Sequence, residues 1–472
     1  MIVRKTSLLI LLLGIVFNLS AQHKIEFAPS NYESDTLIIG YYILDKQLVQ
    51  DTLYKNDKGT FELEDTLSPG VYLTLTFPDM NFLQFLVNDF EKEFRMNFDY
   101  IEKSKVSFEG SHDNACFQSY VDFINQQRPA ADSLKMLIGQ MKEKSQDVSL
   151  LEAELEMINK SVLMMQDSLI EANPDFMSTM LLKANKEMEL PEFDNTEEGR
   201  LAQYRYYKDH YFDFIDLSDT NTLYTPFLFH RLTYYVDKLT PRHPDSVIIS
   251  LDYIFNSMGT EGMNLQYYLS HFLNLYAQSK IVGMDKVYVH LAEEYYAKGK
   301  APWATEETVS KILDRAAKLK PVLIGKTGQD IKVFGEDGTP ISISEIDYEY
   351  LVLLFWAPDC GHCKKSMPGF VEFAEKYKDK NIKVFAICTK YREKVEGCWD
   401  YVKEKDMLGF INGADEFNRS DFKLKYFVNT TPKVYILDKN REILMKNVGA
   451  DQLDAVFESI FKQKEQERLQ EK

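Results

Sequence analysis

The strongest constraint on this chain is an unbroken apolar run, Tyr350-Leu351-Val352-Leu353-Leu354-Phe355-Trp356, followed closely by Cys360-Gly361-His362-Cys363. A run that is apolar at every position reads as a strand buried on both faces, in the middle of a sheet. The Cys-x-x-Cys after it reads as a helix start with Cys360 as the N-cap. Backbone N–H groups of a first turn, together with the helix dipole, favour an anion, so the spacing predicts a stabilised Cys360 thiolate. Cys363, one turn on, is expected to be more buried, to point back toward Cys360 and to attack a mixed disulfide formed there. The His362 ring is expected to favour the thiolate, and the neighbouring Asp359 carboxylate to oppose it. Such a pair implies thiol–disulfide exchange.

The competing chemistries are a structural disulfide and half of a zinc site. Zinc asks for a second Cys-x-x-Cys or Cys-x-x-His pair, and the sequence offers none. His210, His230, His243, His271 and His290 have no compact ligand spacing. No metal is expected, and no cofactor is implied. The other cysteines are Cys116, Cys388 and Cys398. Cys388 ends an apolar run and Cys398 opens a helical pattern. Buried free thiols are the expectation for both, with a bridge between them as the alternative.

Residues 1–21 read as a secretory signal peptide. Arg4 and Lys5 precede an apolar run from Leu8 to Phe17, and Ser20-Ala21 offers small residues for cleavage. The expected location is therefore the periplasm or cell envelope. No later apolar stretch is long enough to span a membrane. The formal net charge of −18 repels phosphate backbones, so nucleic acid is excluded as a partner.

Three further regions follow the signal. Residues 22–110 are rich in short β-branched and aromatic runs separated by turn residues, including Asn56-Asp57-Lys58-Gly59 and Ser68-Pro69-Gly70. They predict an antiparallel β-sandwich-like domain. Across residues 111–320 the period becomes helical: Leu151, Leu155, Ile158, Val162, Met165 and Leu169 share one stripe. The stripe spans under three heptads, which favours a helix packed within the chain over a dimerising coiled coil. The aromatic density from Tyr204 to Tyr276 is read as helical core rather than a ligand groove. Residues 321–472 alternate strands and helices, with an Asp337-Gly338 hairpin at the start and a helix at the end carrying Leu453, Val456, Phe457, Ile460 and Phe461. The last residues, a charged tail from Lys464, are expected to fray.

Over about residues 321–465 the sequence resembles the thioredoxin superfamily, in its exported TlpA/ResA-like branch. The resemblance rests on "FWAPDCGHCKKSMPGF", in which Pro368 falls five residues after Cys363, and on "NTTPKVYILDKN". It implies a C-terminal α/β thioredoxin fold and a cis Thr431-Pro432 bond that docks substrate. It makes Cys360 and Cys363 catalytic, with Gly361, His362 and Trp356 tuning them. More loosely, the β and helical regions resemble accessory domains fused to such thioredoxins in Bacteroidetes-type envelope proteins. Two family acids are missing: Leu354 stands where thioredoxin has a buried aspartate, and Ser366 where ResA-like reductases have a glutamate. Neither Glu372 nor Glu375 is an obvious substitute.

These readings combine into an exported thiol–disulfide oxidoreductase. Its partners are cysteine-containing envelope proteins and an upstream thiol–disulfide redox partner. Reductase, isomerase and oxidase directions all stay open. The alternative is an envelope binding module whose N-terminal domains recognise a partner, with redox activity secondary.

Overall fold

The computed structural model describes residues 22–470, apart from 103–104, 187 and 261. The expected signal peptide lies outside the described residues. Strands β1 (His23–Ser30), β2 (Thr36–Ile43), β3 (Lys46–Tyr54), β4 (Phe61–Asp65), β5 (Gly70–Thr76), β6 (Asn81–Val87), β7 (Glu93–Asp99) and β8 (Val106–Glu109) make two four-stranded sheets, ordered β4-β1-β7-β8 and β3-β2-β5-β6. Alternation places side chains on opposite faces, so Phe61 and Leu63 are buried while Glu62 and Glu64 are exposed. The sheets share one apolar core that includes Phe27, Ile39, Phe61, Phe85 and Met96. The sequence predicted an antiparallel sandwich; the structure departs from it in one pairing, because β1 runs parallel to β7. These two strands are far apart in sequence, which leaves room for the crossover that a parallel pair requires.

The helical region holds α1 (His112–Glu143), α2 (Ser149–Ala172), α3 (Met177–Ala184), α4 (Glu197–Asp209), α5 (Phe227–Asp237), α6 (Pro244–Met258), α7 (Met263–Ala277), α8 (Asp285–Leu291) and α9 (Glu306–Leu319). Side-chain caps start several of them: Ser111, Thr196 and Thr305 accept from the backbone N–H groups of Asn114, Gly199 and Thr308. The stripe on α2 packs beside α1 within the chain, half-buried along its length.

The C-terminal region runs β9 (Lys332–Phe334), β10 (Pro340–Ser342), β11 (Tyr350–Trp356), α10 (Gly361–Tyr377), β12 (Ile382–Cys388), α11 (Glu396–Glu404), β13 (Ile411–Ala414), α12 (Phe422–Lys425), β14 (Lys433–Asp438), β15 (Ile443–Lys446) and α13 (Leu453–Gln470). Its seven-stranded mixed sheet has the order β10-β9-β13-β12-β11-β14-β15. β11 is parallel to β12 and antiparallel to β14, so ladders cover both its edges. Both faces of β11 are also covered. Val352, Leu354 and Trp356 face the cluster built with α10, α11 and α13. Leu351, Leu353 and Phe355 face the opposite cluster with Phe422 and Tyr426. One correction follows: the four-residue strand β13 was not expected. Helix α13 runs on through the charged tail to Gln470.

By compactness the chain divides into two units. One runs to Leu239 and takes in Ser257–Asn264; the other holds Thr240–Asn256 and Leu265–Lys472. The second unit thus includes α8 and α9 as well as the seven-stranded sheet. Inside it Lys446 of β15 is buried, hydrogen-bonds Asp285 of α8, and donates to the Val322 carbonyl at 2.6 Å.

Candidate active site

Strand β11 ends at Trp356, and three residues, Ala357 to Asp359, separate it from the N-cap of α10. Cys360 is the N-cap: its extended backbone, φ −83° and ψ 117°, lets its sulfur accept from the Cys363 N–H at 3.3 Å. The Cys360 thiol in turn donates to the Thr431 carbonyl at 3.2 Å. Cys363 is fully buried, Cys360 half-buried, and both are free thiols. The Thr431-Pro432 bond is cis, as is Phe77-Pro78 in the β domain.

The two sulfurs sit in opposite electrostatic environments. Burial works against ionisation of Cys360. Hydrogen bonds from the Thr431 side chain, from Cys363 and from the Cys363 and His362 backbone outweigh it, so its pKa lies below the ordinary thiol value. Burial pushes the Cys363 thiol up to about 12, and the adjacent Cys360 adds to the rise. One thiol is primed to ionise and the other is held protonated.

The remaining expected residues occupy distinct places. Gly361 opens α10 and is exposed, with open space where a side chain would stand. The His362 backbone N–H helps the thiolate, while its side chain is exposed and lines a groove of about 740 Å³ with Ser366, Glu372, Pro432, Ala450 and Asp454. Trp356 is buried and packs its ring 5.1 Å from that of Tyr401. The opposing charge of Asp359 is compensated, because Lys390 binds its carboxylate at 2.6 Å and lowers its pKa. Leu354 is fully buried in the apolar cluster. Ser366, half-buried, donates back to the His362 carbonyl at 3.0 Å, a bond that serines inside helices commonly make. Glu375 is bound by Lys378.

Cys388 and Cys398, expected as free thiols, are joined in a disulfide. The reason is topological. Cys388 ends β12 and Cys398 lies in the first turn of α11, so both side chains enter the same cluster with their Cα atoms 6.3 Å apart. Lys390 and Tyr401 also went unnoticed in the sequence. Both come to the site from β12 onward, through strand order that no local spacing reveals. Among the described residues no group of three or more His, Cys, Asp or Glu side chains is placed to hold a metal ion.

Residues 323–461 match the Redoxin family, and residues 166–322 match a Domain of unknown function, DUF5106. The thiol-disulfide oxidoreductase ResA of Bacillus cereus is 26% identical over 140 residues, 29% of this chain and 78% of that protein. The homologue of Bacillus thuringiensis is 25% identical over 139 residues, again 29% of this chain and 78% of its own length. The crystal structure of a domain of a possible thiol-disulfide isomerase from Cytophaga hutchinsonii is 29% identical and covers 30% of this chain and 97% of that one, with a TM-score of 0.29. A thioredoxin-like protein from Bacteroides caccae is 18% identical and covers 57% of this chain and 98% of its own, with a TM-score of 0.46. The C-terminal part of the chain is thus a redoxin, thioredoxin-like domain of the ResA type, and the protein is a thiol–disulfide oxidoreductase with β and helical domains in front of it.

Proposed function

We propose that Cys360 and Cys363 are the exchanging dithiol, and that the protein trades disulfides with cysteine-containing proteins of the periplasm or cell envelope. The observation that carries this reading is the pairing of an N-cap thiol held at 3.3 Å by the Cys363 N–H with a buried thiol one turn on. Cys360 forms the mixed disulfide and Cys363 resolves it. A client segment lies in extended form against Thr431 and Pro432, the edge that borders the sulfur. The apolar run at residues 8–17 supports export, and hence an oxidising compartment. An upstream thiol–disulfide partner resets the pair, and its potential sets the direction of net flow.

The test is covalent trapping. A Cys363→Ser chain expressed in the native periplasm is expected to accumulate mixed disulfides through Cys360, and mass spectrometry names the clients. Cys360→Ser is expected to abolish reduction of insulin disulfides. Parent-level turnover by that variant would overturn the assignment. Recovery of a mature chain lacking residues 1–21 from the periplasmic fraction tests the location.

A further inference from the structure

Leu354 and Ser366 stand where the family resemblance places acids near the resolving sulfur, yet the cluster that buries it also holds two polar groups, on Trp356 and Tyr401. Helix α11 passes over the same apolar cluster that buries Cys363. Its Tyr401 is buried, packs its ring at a tilt against Trp356, and lies close enough to Cys363 and Cys360 for their charges to bear on its hydroxyl. Among the described residues that hydroxyl has no hydrogen-bond partner, and neither has the Trp356 indole N–H beside it. An unpartnered buried hydroxyl is costly and calls for an explanation. Cys398 precedes Tyr401 by one helical turn on the same face, so the Cys388–Cys398 bridge fastens that face to β12.

We propose that Tyr401 is a positioning residue of the exchange reaction, its hydroxyl donating a hydrogen bond to the Cys363 sulfur while that sulfur is a thiolate. The proposal rests on the assignment of Cys363 as the resolving thiol. In the first step the Cys360 thiolate attacks one sulfur of a client disulfide. A Cys360–client bond forms, and the second client sulfur leaves as a thiolate that takes up a proton. Cys363 then loses its proton to solvent and attacks the Cys360 sulfur. The Cys360–Cys363 bond forms, the Cys360–client bond breaks, and the client leaves as a thiolate that is protonated in turn. The client gains two electrons and the dithiol loses two. Tyr401 keeps its proton throughout: burial raises its pKa, so the hydroxyl donates without transferring. The charged groups near it on α11 are Lys405, 6.0 Å from the ring centroid, and Glu404, which pairs with Lys405.

The experiment uses the full chain and dithionitrobenzoate, a small aromatic disulfide that releases one coloured thiolate at each step. The first release reports attack by Cys360 and the second reports resolution by Cys363. Tyr401→Phe keeps the ring and removes the hydroxyl. The first release is expected to be unchanged and the second to slow about tenfold, the worth of one hydrogen bond to a charged group, with its pH midpoint moved upward. A second release as fast as the parent's overturns the proposal, as does equal slowing of both steps, which signals a disturbed fold. Absence of the first release in the parent chain instead defeats the Cys360 assignment, so the two failures are distinguishable.

Discussion

Cys360 shows how a sulfur is acidified against the effect of its own burial. The N-cap position supplies N–H donors, and the Thr431 side chain adds another. Because the folded pKa is lowered, the thiolate of the reduced protein is populated at a lower pH than that of an ordinary thiol. Iodoacetamide labelling of the reduced protein, followed by mass spectrometry, is expected to modify Cys360 with a midpoint below that of the same cysteine in the urea-unfolded chain. Cys363, held up to about 12, is expected to resist labelling until strongly alkaline pH. Asp359 is quiet only because Lys390 holds it. Lys390→Ala frees that carboxylate and is expected to raise the Cys360 midpoint, by a small amount since the acid is largely exposed to solvent. At this scale the sequence was readable: the cysteine spacing placed Cys360 at the N-cap and Cys363 buried one turn on. The contribution of the His362 backbone N–H to the Cys360 thiolate was not legible there, since it depends on the turn that opens α10.

Helix α11 is the element whose role depends most on its surroundings. Its sequence reads as an ordinary short amphipathic helix, but the bridge from Cys398 to Cys388 ties its first turn to β12. Closing a loop between residues ten apart restricts the unfolded chain by about 2–3 kcal/mol. The double variant Cys388→Ser, Cys398→Ser is therefore expected to lose about 2–3 kcal/mol in urea unfolding. Strand β11 was legible from the sequence, since burial on both faces demands apolar residues at every position. Strand β13 was not. Ile411–Ala414 is four residues long and includes Gly413, where an added Cβ would come within 2.5 Å of Val333. Close packing there demands a glycine, and the glycine erases the strand signal.

On the scale of the whole second unit, a charge cluster around the buried Lys446 joins the helical segment to the sheet. Asp285 of α8 holds Lys446 of β15, while Lys433 lies close by on β14, one residue after Pro432. Burial, with Lys446 adding to it, depresses the Lys433 pKa to about 8. Between that value and the ordinary lysine value of about 10.4, the unfolded chain binds the extra proton. Stability therefore rises with pH across this window and is lower on its acid side. Lys433→Met is expected to flatten that rise and to stabilise the protein near neutral pH by about 1–3 kcal/mol, read from urea unfolding. None of this was visible in the sequence. Asp285 and Lys446 are 161 residues apart, and each alone reads as an ordinary surface charge.

The sequence by itself determined the local chemistry: which strand is central, where α10 begins, which cysteine caps it and which lies one turn inside. Those properties depend on residues within a few positions of one another, so periodicity and capping rules reach them. The tertiary structure decided what lies across the sheet order. It paired Cys388 with Cys398, neutralised Asp359 with Lys390, laid Tyr401 against Trp356, and gave Lys446 its partner on α8. Each depends on which strands become neighbours and which helix covers them, a choice made by the packing of the entire core rather than by any one segment.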